Sequence, residues 1–185
     1  KARMQNLGVE DDRAAECKLI AENAEVVIAC VGLDATLEGE EGDTGNAFAS
    51  GDKLNLLLPE CQRKLMDAVL KVGKPTTICL MAGSSIDLGK AAEEANAVLL
   101  AWYPGARGGR SVADILFGKV SPSGKLPVTF YHNEQLDEMP AFTDYAMTGR
   151  TYRYVDREPL YPFGYGLTYG DTLVTAASAA KTEKG

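Results

Sequence analysis

The apolar residues of this chain occur in short continuous runs that alternate with amphipathic stretches. Three of these runs have the length and the β-branched content of buried strands. They cover residues 26–31, 76–81 and 97–102. Because such strands are apolar on both faces, they predict a mostly parallel sheet with helices packed on both faces.

The stretches between these runs have the three-to-four-residue apolar spacing of amphipathic helices. The predicted helices cover residues 11–24, 60–72, 88–95 and 108–117. Strands that alternate with helices in this way are typical of an α/β sandwich. Ligands of such sheets usually lie beyond the carboxyl ends of the strands, so the loops at that edge are the first place to look for a site.

After residue 117 the alternation ends in an irregular, aromatic-rich segment in which only residues 125–131 have the pattern of a further strand. Aromatic rings can stack on sugars, but rings interleaved with Pro and Gly more often fix an irregular segment to the body of a domain. The residues concerned are Tyr152, Tyr154, Tyr161, Phe163, Tyr165 and Tyr169. We assign residues 1–169 to one domain and expect residues 170–185 to be a flexible tail or linker.

Composition narrows the class of partner. The 185 residues carry a formal net charge of −7, which disfavours nucleic acids and anionic membranes. No apolar run approaches the roughly 20 residues that span a bilayer. The four cysteines lack C-x-x-C spacing, so we predict buried free thiols and, from them, a cytoplasmic location. They are Cys17, Cys30, Cys61 and Cys79.

The most unusual segment follows the first predicted strand. Four carboxylates lie between positions 38 and 43, namely those of Glu38, Glu40, Glu41 and Asp43. Neighbouring carboxylates disfavour each other's ionisation, so a partly desolvated member could keep its proton near neutral pH and act as a general acid. A solvated acidic loop or a calcium site would have the same composition. The loop continues to Leu58, and this length favours a functional role.

Other candidate chemistry is weaker. Ser84 and Ser85 lack the G-x-S-x-G context of a hydrolase nucleophile, and His132 is the only histidine, so a Ser-His-Asp triad is not expected. The glycines of residues 102–109 do not have the spacing of a dinucleotide site. We assign Trp102 to the core and His132 to a surface or hydrogen-bonded position. Neither a metal nor a cofactor is expected.

Several motifs occur in a fixed order along the chain. In and after the acidic loop they are Glu41-Gly42, Asp52-Lys53, the Leu-Leu-Leu-Pro of residues 56–59, and Gln62; later ones lie in residues 102–109, 112–118, 122–130, 152–154 and 161–169. Together these motifs resemble the C-terminal α/β-sandwich domain of family 3 glycoside hydrolases, the β-glucosidase and β-xylosidase family. The resemblance extends from about residue 8 to residue 169.

The resemblance implies a retaining β-glycosidase that hydrolyses β-linked glucosides or related sugars. The glutamate of the family's Glu-Gly pair is the general acid/base, which maps to Glu41; Glu40 is the second candidate and Glu38 the third. Residues 44–51 are an insertion between that pair and Asp52. The family's nucleophile is an aspartate in an N-terminal (β/α)₈ barrel, in a motif similar to Ser-Asp-Trp, which does not occur here.

The implied partners are therefore a β-linked oligosaccharide or glycoside and the barrel domain of the same parent protein. Without the second carboxylate that a retaining mechanism requires, the isolated chain is expected to be inactive. A non-catalytic carbohydrate-binding or structural module is the alternative. Nucleotide or redox binding would rest on fold analogy alone.

Overall fold

A three-stranded parallel sheet forms the centre of the computed structural model, which describes residues 14–35, 37–39, 53–141, 143–171, 173 and 175–180. The strands lie side by side in chain order as β1 (Val27–Gly32), β2 (Thr76–Met81) and β3 (Ala97–Leu100). Val27 pairs with Thr76, and Thr77 pairs with Ala97. The prediction of an α/β fold with a parallel sheet and flanking helices is confirmed.

The four predicted helices are present and are shorter than the amphipathic stretches that predicted them. They are α1 (Ala14–Glu22), α2 (Glu60–Leu70), α3 (Lys90–Glu94) and α4 (Gly108–Leu116). A 3₁₀ helix, η1 (Asn133–Glu138), and a single turn, α5 (Thr151–Tyr154), follow. None of the described helices is long and apolar enough to cross a membrane.

The core lies between α2 and one face of the sheet. Leu65, Met66 and Val69 recur at helical spacing on α2 and belong to the same buried cluster as Ile78 and Leu80 of β2. Burying each of these side chains contributes roughly 1.5–3 kcal/mol. The edge strand β1 is less covered on its other face, where Ile28 is 47% exposed.

The predicted strand over residues 125–131 is wrong. Only an isolated antiparallel bridge forms there, between Phe130 and Tyr161. Pro127 has no N–H to donate to a strand ladder, and Pro162 interrupts the opposite segment in the same way. Leu126 instead exchanges single backbone hydrogen bonds with Tyr165 and Gly164, which holds the two segments together without a sheet.

The aromatic-rich segment is irregular, as predicted, and its rings pack on one another. The ring centroids of Tyr152 and Phe163 lie 4.5 Å apart. The Tyr169 hydroxyl donates to the carbonyl oxygen of Ile115 in α4 over 2.7 Å. These contacts support the architectural interpretation of the aromatic residues. The boundary at residue 169 stays a prediction, and residues 181–185 of the expected tail lie outside the described residues.

Candidate active site

The loops that follow the three strands all begin at one edge of the sheet, where the carboxyl ends of the strands lie. Backbone pairing continues past the strand ends, since Leu33 N donates to Met81 O and Ala101 N donates to Leu80 O, both over 2.8 Å. The acidic segment, the Ser84-Ser85 turn and Trp102 therefore leave the sheet at the same edge. This is where ligands of parallel α/β sheets usually bind.

The Gln62 amide fixes the start of the acidic segment. Gly32 N donates to Gln62 Oε1 over 2.8 Å, and Gln62 Nε2 donates to Gly32 O over 2.7 Å. Gln62 is 3% exposed, so these two bonds satisfy polar groups that water does not reach. A Cβ atom on Gly32 would lie 1.8 Å from Met81 O, so only glycine fits at this strand end.

Glu38 is the only one of the three candidate glutamates within the described residues; Glu40 and Glu41 lie outside them. The Glu38 Oε1 atom lies 3.7 Å from Lys53 Nζ, and the two side chains are 21% and 7% exposed. Lys53 Nζ also donates to Ser85 O over 2.9 Å. Burial lowers the pKa of Lys53, while the Glu38 carboxylate acts in the opposite direction.

The Ser84-Ser85 turn shows no sign of an activated nucleophile. Both hydroxyl oxygens are buried and have no hydrogen-bond partner within the described part of the chain. Lys53 contacts the Ser85 carbonyl rather than its hydroxyl. His132 Nδ1 lies 3.8 Å from Asp87 Oδ2, so the single histidine is placed beside an aspartate and not beside a serine.

Sequence reasoning missed a group formed by Asp87, His132 and Glu134, whose potential ligand atoms all lie within 4.8 Å of one another. Asp87 is buried, with Oδ1 accepting from Gly89 N and Oδ2 accepting from Asn133 N. Both carboxylate oxygens thus bind backbone donors, which accounts for the burial of this charge without an ion. The contact joins residues 46 positions apart, so no local motif indicates it.

Trp102 lies two residues after the end of β3 in an unusual backbone conformation. Its φ is +52°, in a region that non-glycine residues rarely occupy. The ring packs edge-on against Phe130 with a centroid distance of 6.2 Å. Trp102 is half-buried, so the prediction of a core position is met only in part. The next residue, Tyr103, covers Gly83 and so brings the third loop onto the second.

None of the four cysteines forms a disulfide, as predicted, but the expected burial holds fully for Cys79 alone. Cys79 is 1% exposed, and burial raises the pKa of its thiol to about 11. Cys30, its in-register neighbour, is exposed on β1, which is an edge strand of the sheet. Cys17 and Cys61 are half-buried.

Sequence comparisons identify relatives that act on sugars. The model of the glycosyl hydrolase family 3 C-terminal domain matches residues 1–169. The chain is 45% identical over 158 residues to a xylan 1,4-beta-xylosidase of Xylanibacter ruminicola, a match that covers 82% of this chain and 18% of that protein. It is 37% identical over 161 residues to a periplasmic beta-glucosidase of Salmonella typhimurium, covering 80% of this chain and 20% of that one.

Comparison with solved structures also finds similarity to β-glucosidases and β-xylosidases. DesR, a beta-glucosidase from Streptomyces venezuelae solved with D-glucose, superposes with a TM-score of 0.74 at 30% identity, over 95% of this chain and 23% of that one. The exo-beta-xylosidase XlnD, solved with a xylobiose aziridine probe, has a TM-score of 0.72 at 30% identity, over 84% and 20%. The chain thus spans about a fifth of the length of these relatives.

Proposed function

We propose that this chain, which belongs to the glycosyl hydrolase family 3 C-terminal domain family, supplies the general acid/base of a retaining β-glycosidase. The reaction is hydrolysis of the O-glycosidic bond of a β-linked xyloside, glucoside or related sugar. Relatives named as β-xylosidases and β-glucosidases support this substrate class. A cytoplasmic location stays a prediction, and one relative is named as periplasmic.

The observation that carries the proposal is the position of the acidic segment at the carboxyl edge of the sheet. Gly32, where the segment begins, is held by Gln62, and Glu38 within it is held by Lys53. Because Glu38 already pairs with a buried ammonium, we do not assign the acid/base role to it. We therefore assign the acid/base to Glu41, with Glu40 as the second candidate.

In this mechanism the carboxyl group of Glu41 donates a proton to the leaving oxygen as the glycosidic bond breaks. The resulting carboxylate then takes a proton from water as water attacks the glycosyl-enzyme. The nucleophile is a second carboxylate, roughly 5–5.5 Å from the first in retaining enzymes. We place it on a (β/α)₈ barrel joined to this chain.

A panel of nitrophenyl glycosides tests the proposal on the two-domain protein that contains this chain. We expect hydrolysis of the β-xyloside or β-glucoside and release of a β-configured sugar, as seen by NMR in the first minutes of reaction. An α-configured first product would refute the retaining mechanism. Binding of xylo- or gluco-oligosaccharides without cleavage would favour a non-catalytic carbohydrate-binding module.

A further inference from the structure

Lys53 is a charged group at the loop edge of the sheet whose side chain is buried and for which the proposed mechanism has no use. Its side chain is 7% exposed, and its ammonium contacts two different parts of the chain. One contact is the Glu38 carboxylate, 3.7 Å away, and the other is the Ser85 carbonyl oxygen, 2.9 Å away. A buried charge persists in a fold only when such partners compensate its lost hydration.

We propose that Lys53 is a positioning residue that holds the acidic segment against the connection between β2 and α3. Its ammonium pairs with Glu38 in the first part of the segment and donates to the carbonyl oxygen of Ser85 in that connection. This inference rests on the proposed function, because it concerns the placement of the acid/base glutamate. Glu40 and Glu41 follow Glu38 by two and three positions in the sequence. Fixing Glu38 therefore restricts where their carboxylates can lie.

Further hydrogen bonds fix the chain on either side of the Lys53–Glu38 pair. On the entry side, Glu38 N donates to Asp34 O over 2.9 Å, which closes a turn directly after β1. On the exit side, Asp87 N donates to Leu56 O over 2.7 Å, and Leu56 N donates to Asn133 Oδ1 over 3.0 Å. The Lys53–Glu38 pair joins these two anchored sides across 15 positions of sequence, from 38 to 53.

A ratio of two rates measured on the same folded protein separates positioning from stability. This comparison is needed because removing one partner of a buried ion pair destabilises a fold, whereas replacing both partners with apolar side chains is often neutral. A small displacement of a proton donor, by contrast, costs rate most where the leaving group depends on protonation. Loss of Lys53 should therefore affect natural disaccharides much more than glycosides with activated leaving groups.

The test compares two substrates of the two-domain protein, the disaccharide and the 2,4-dinitrophenyl glycoside of the sugar found to be cleaved. We expect Lys53→Met to lower kcat/KM for the disaccharide roughly 10- to 100-fold and for the dinitrophenyl glycoside less than about 3-fold. Lys53→Arg should restore most of the loss. Glu38→Gln should reproduce it, and the double variant should be no worse than either single variant.

Lys64→Met is the matched control, because Lys64 pairs with Glu60 over 2.9 Å on the exposed face of α2. It should leave both rates unchanged. Equal losses on both substrates, or no loss, would overturn the positioning role. If Lys53→Met does not fold, the substrate split of Glu38→Gln decides the question. A wild-type protein that cleaves no β-glycoside of the nitrophenyl panel would refute the proposed function, and the inference with it.

Discussion

A single amide, that of Gln62, fixes the backbone at the point where the acidic segment leaves the sheet. Both the N–H and the C=O of Gly32 are hydrogen-bonded to the Gln62 side chain at the end of β1. Leaving a buried donor or acceptor unpaired costs about 1–3 kcal/mol for each group. The Gln62 amide therefore stabilises the backbone conformation of Gly32 by supplying both hydrogen-bond partners.

We predict that Gln62→Ala lowers the free energy of unfolding by about 2–4 kcal/mol, because two partly buried backbone groups of Gly32 lose their partners. Gln62→Glu keeps an acceptor for Gly32 N but loses the donor to Gly32 O, so it should also destabilise the fold. Urea denaturation followed by circular dichroism measures both changes. A loss below about 0.5 kcal/mol for Gln62→Ala would show that water or a neighbouring group replaces the amide.

The raised pKa of Cys79 predicts how the thiols react. Its neutral form is favoured in the folded state, so the stabilisation is present below about pH 9 and is lost as the pH rises towards 11. In the folded chain iodoacetamide should modify Cys30 first and leave Cys79 unmodified between pH 7 and 9. Mass spectrometry of the digested chain gives the order. Modification of Cys79 at the rate of Cys30 at pH 8 would contradict the buried, neutral thiol.

At the scale of elements, the apolar pattern predicted strands and helices correctly where neighbouring residues in the sequence determine where the element begins and ends. Strand β2 spans the same residues as its apolar run, and α2 begins at Glu60 directly after Pro59, a residue suited to the start of a helix. The pattern failed for residues 125–131, because alternation of apolar residues does not register the missing N–H of Pro127. It also overextended the third strand, which ends before the positive φ of Trp102.

For the candidate site, too, the sequence predicted only the features that depend on local pattern. The sequence places the glutamates after the first strand, and the order of the strands brings their loops to one edge. The contacts that shape this edge join distant residues, such as Lys53 with Ser85 across 32 positions and Gly32 with Gln62 across 30. The periodicity of apolar residues carries no information about such pairs. The sequence therefore predicted where the site lies, but not the hydrogen bonds and ion pairs that hold it in place.

The end of β1 provides a prediction about the sheet. Gly32→Ala should lower the free energy of unfolding by roughly 3 kcal/mol or more, because the new Cβ would lie 1.8 Å from Met81 O and force the β1–β2 pair apart. Gly109→Ala is the matched control, since nothing lies within 4 Å of a Cβ there and the residue is helical. Thermal unfolding compares them; equal melting temperatures would show that the strand end tolerates a side chain.

At the scale of the whole molecule, this chain carries one half of the proposed chemistry. It spans about a fifth of the length of its relatives, and a retaining mechanism needs a second carboxylate. We predict that the purified 185-residue chain does not measurably hydrolyse nitrophenyl β-glycosides. Turnover that grows with chain concentration and disappears in Glu41→Ala would show that the chain holds a complete site.

The most direct test of the central claim is azide rescue of Glu41→Ala in the two-domain protein. General acid/base assistance is typically worth roughly 10²–10⁴-fold, so this variant should lose that much kcat/KM on disaccharides. On activated aryl glycosides kcat/KM should fall much less, because glycosylation there needs little protonation, while kcat should fall because no base activates the water that attacks the glycosyl-enzyme. Added azide should restore turnover of the aryl glycoside and yield a β-glycosyl azide, because azide attacks the glycosyl-enzyme without a base. Glu40→Ala should keep most activity and show no rescue. Rescue of Glu40→Ala alone would move the assignment to Glu40, and rescue of neither variant would contradict the claim that this segment supplies the acid/base.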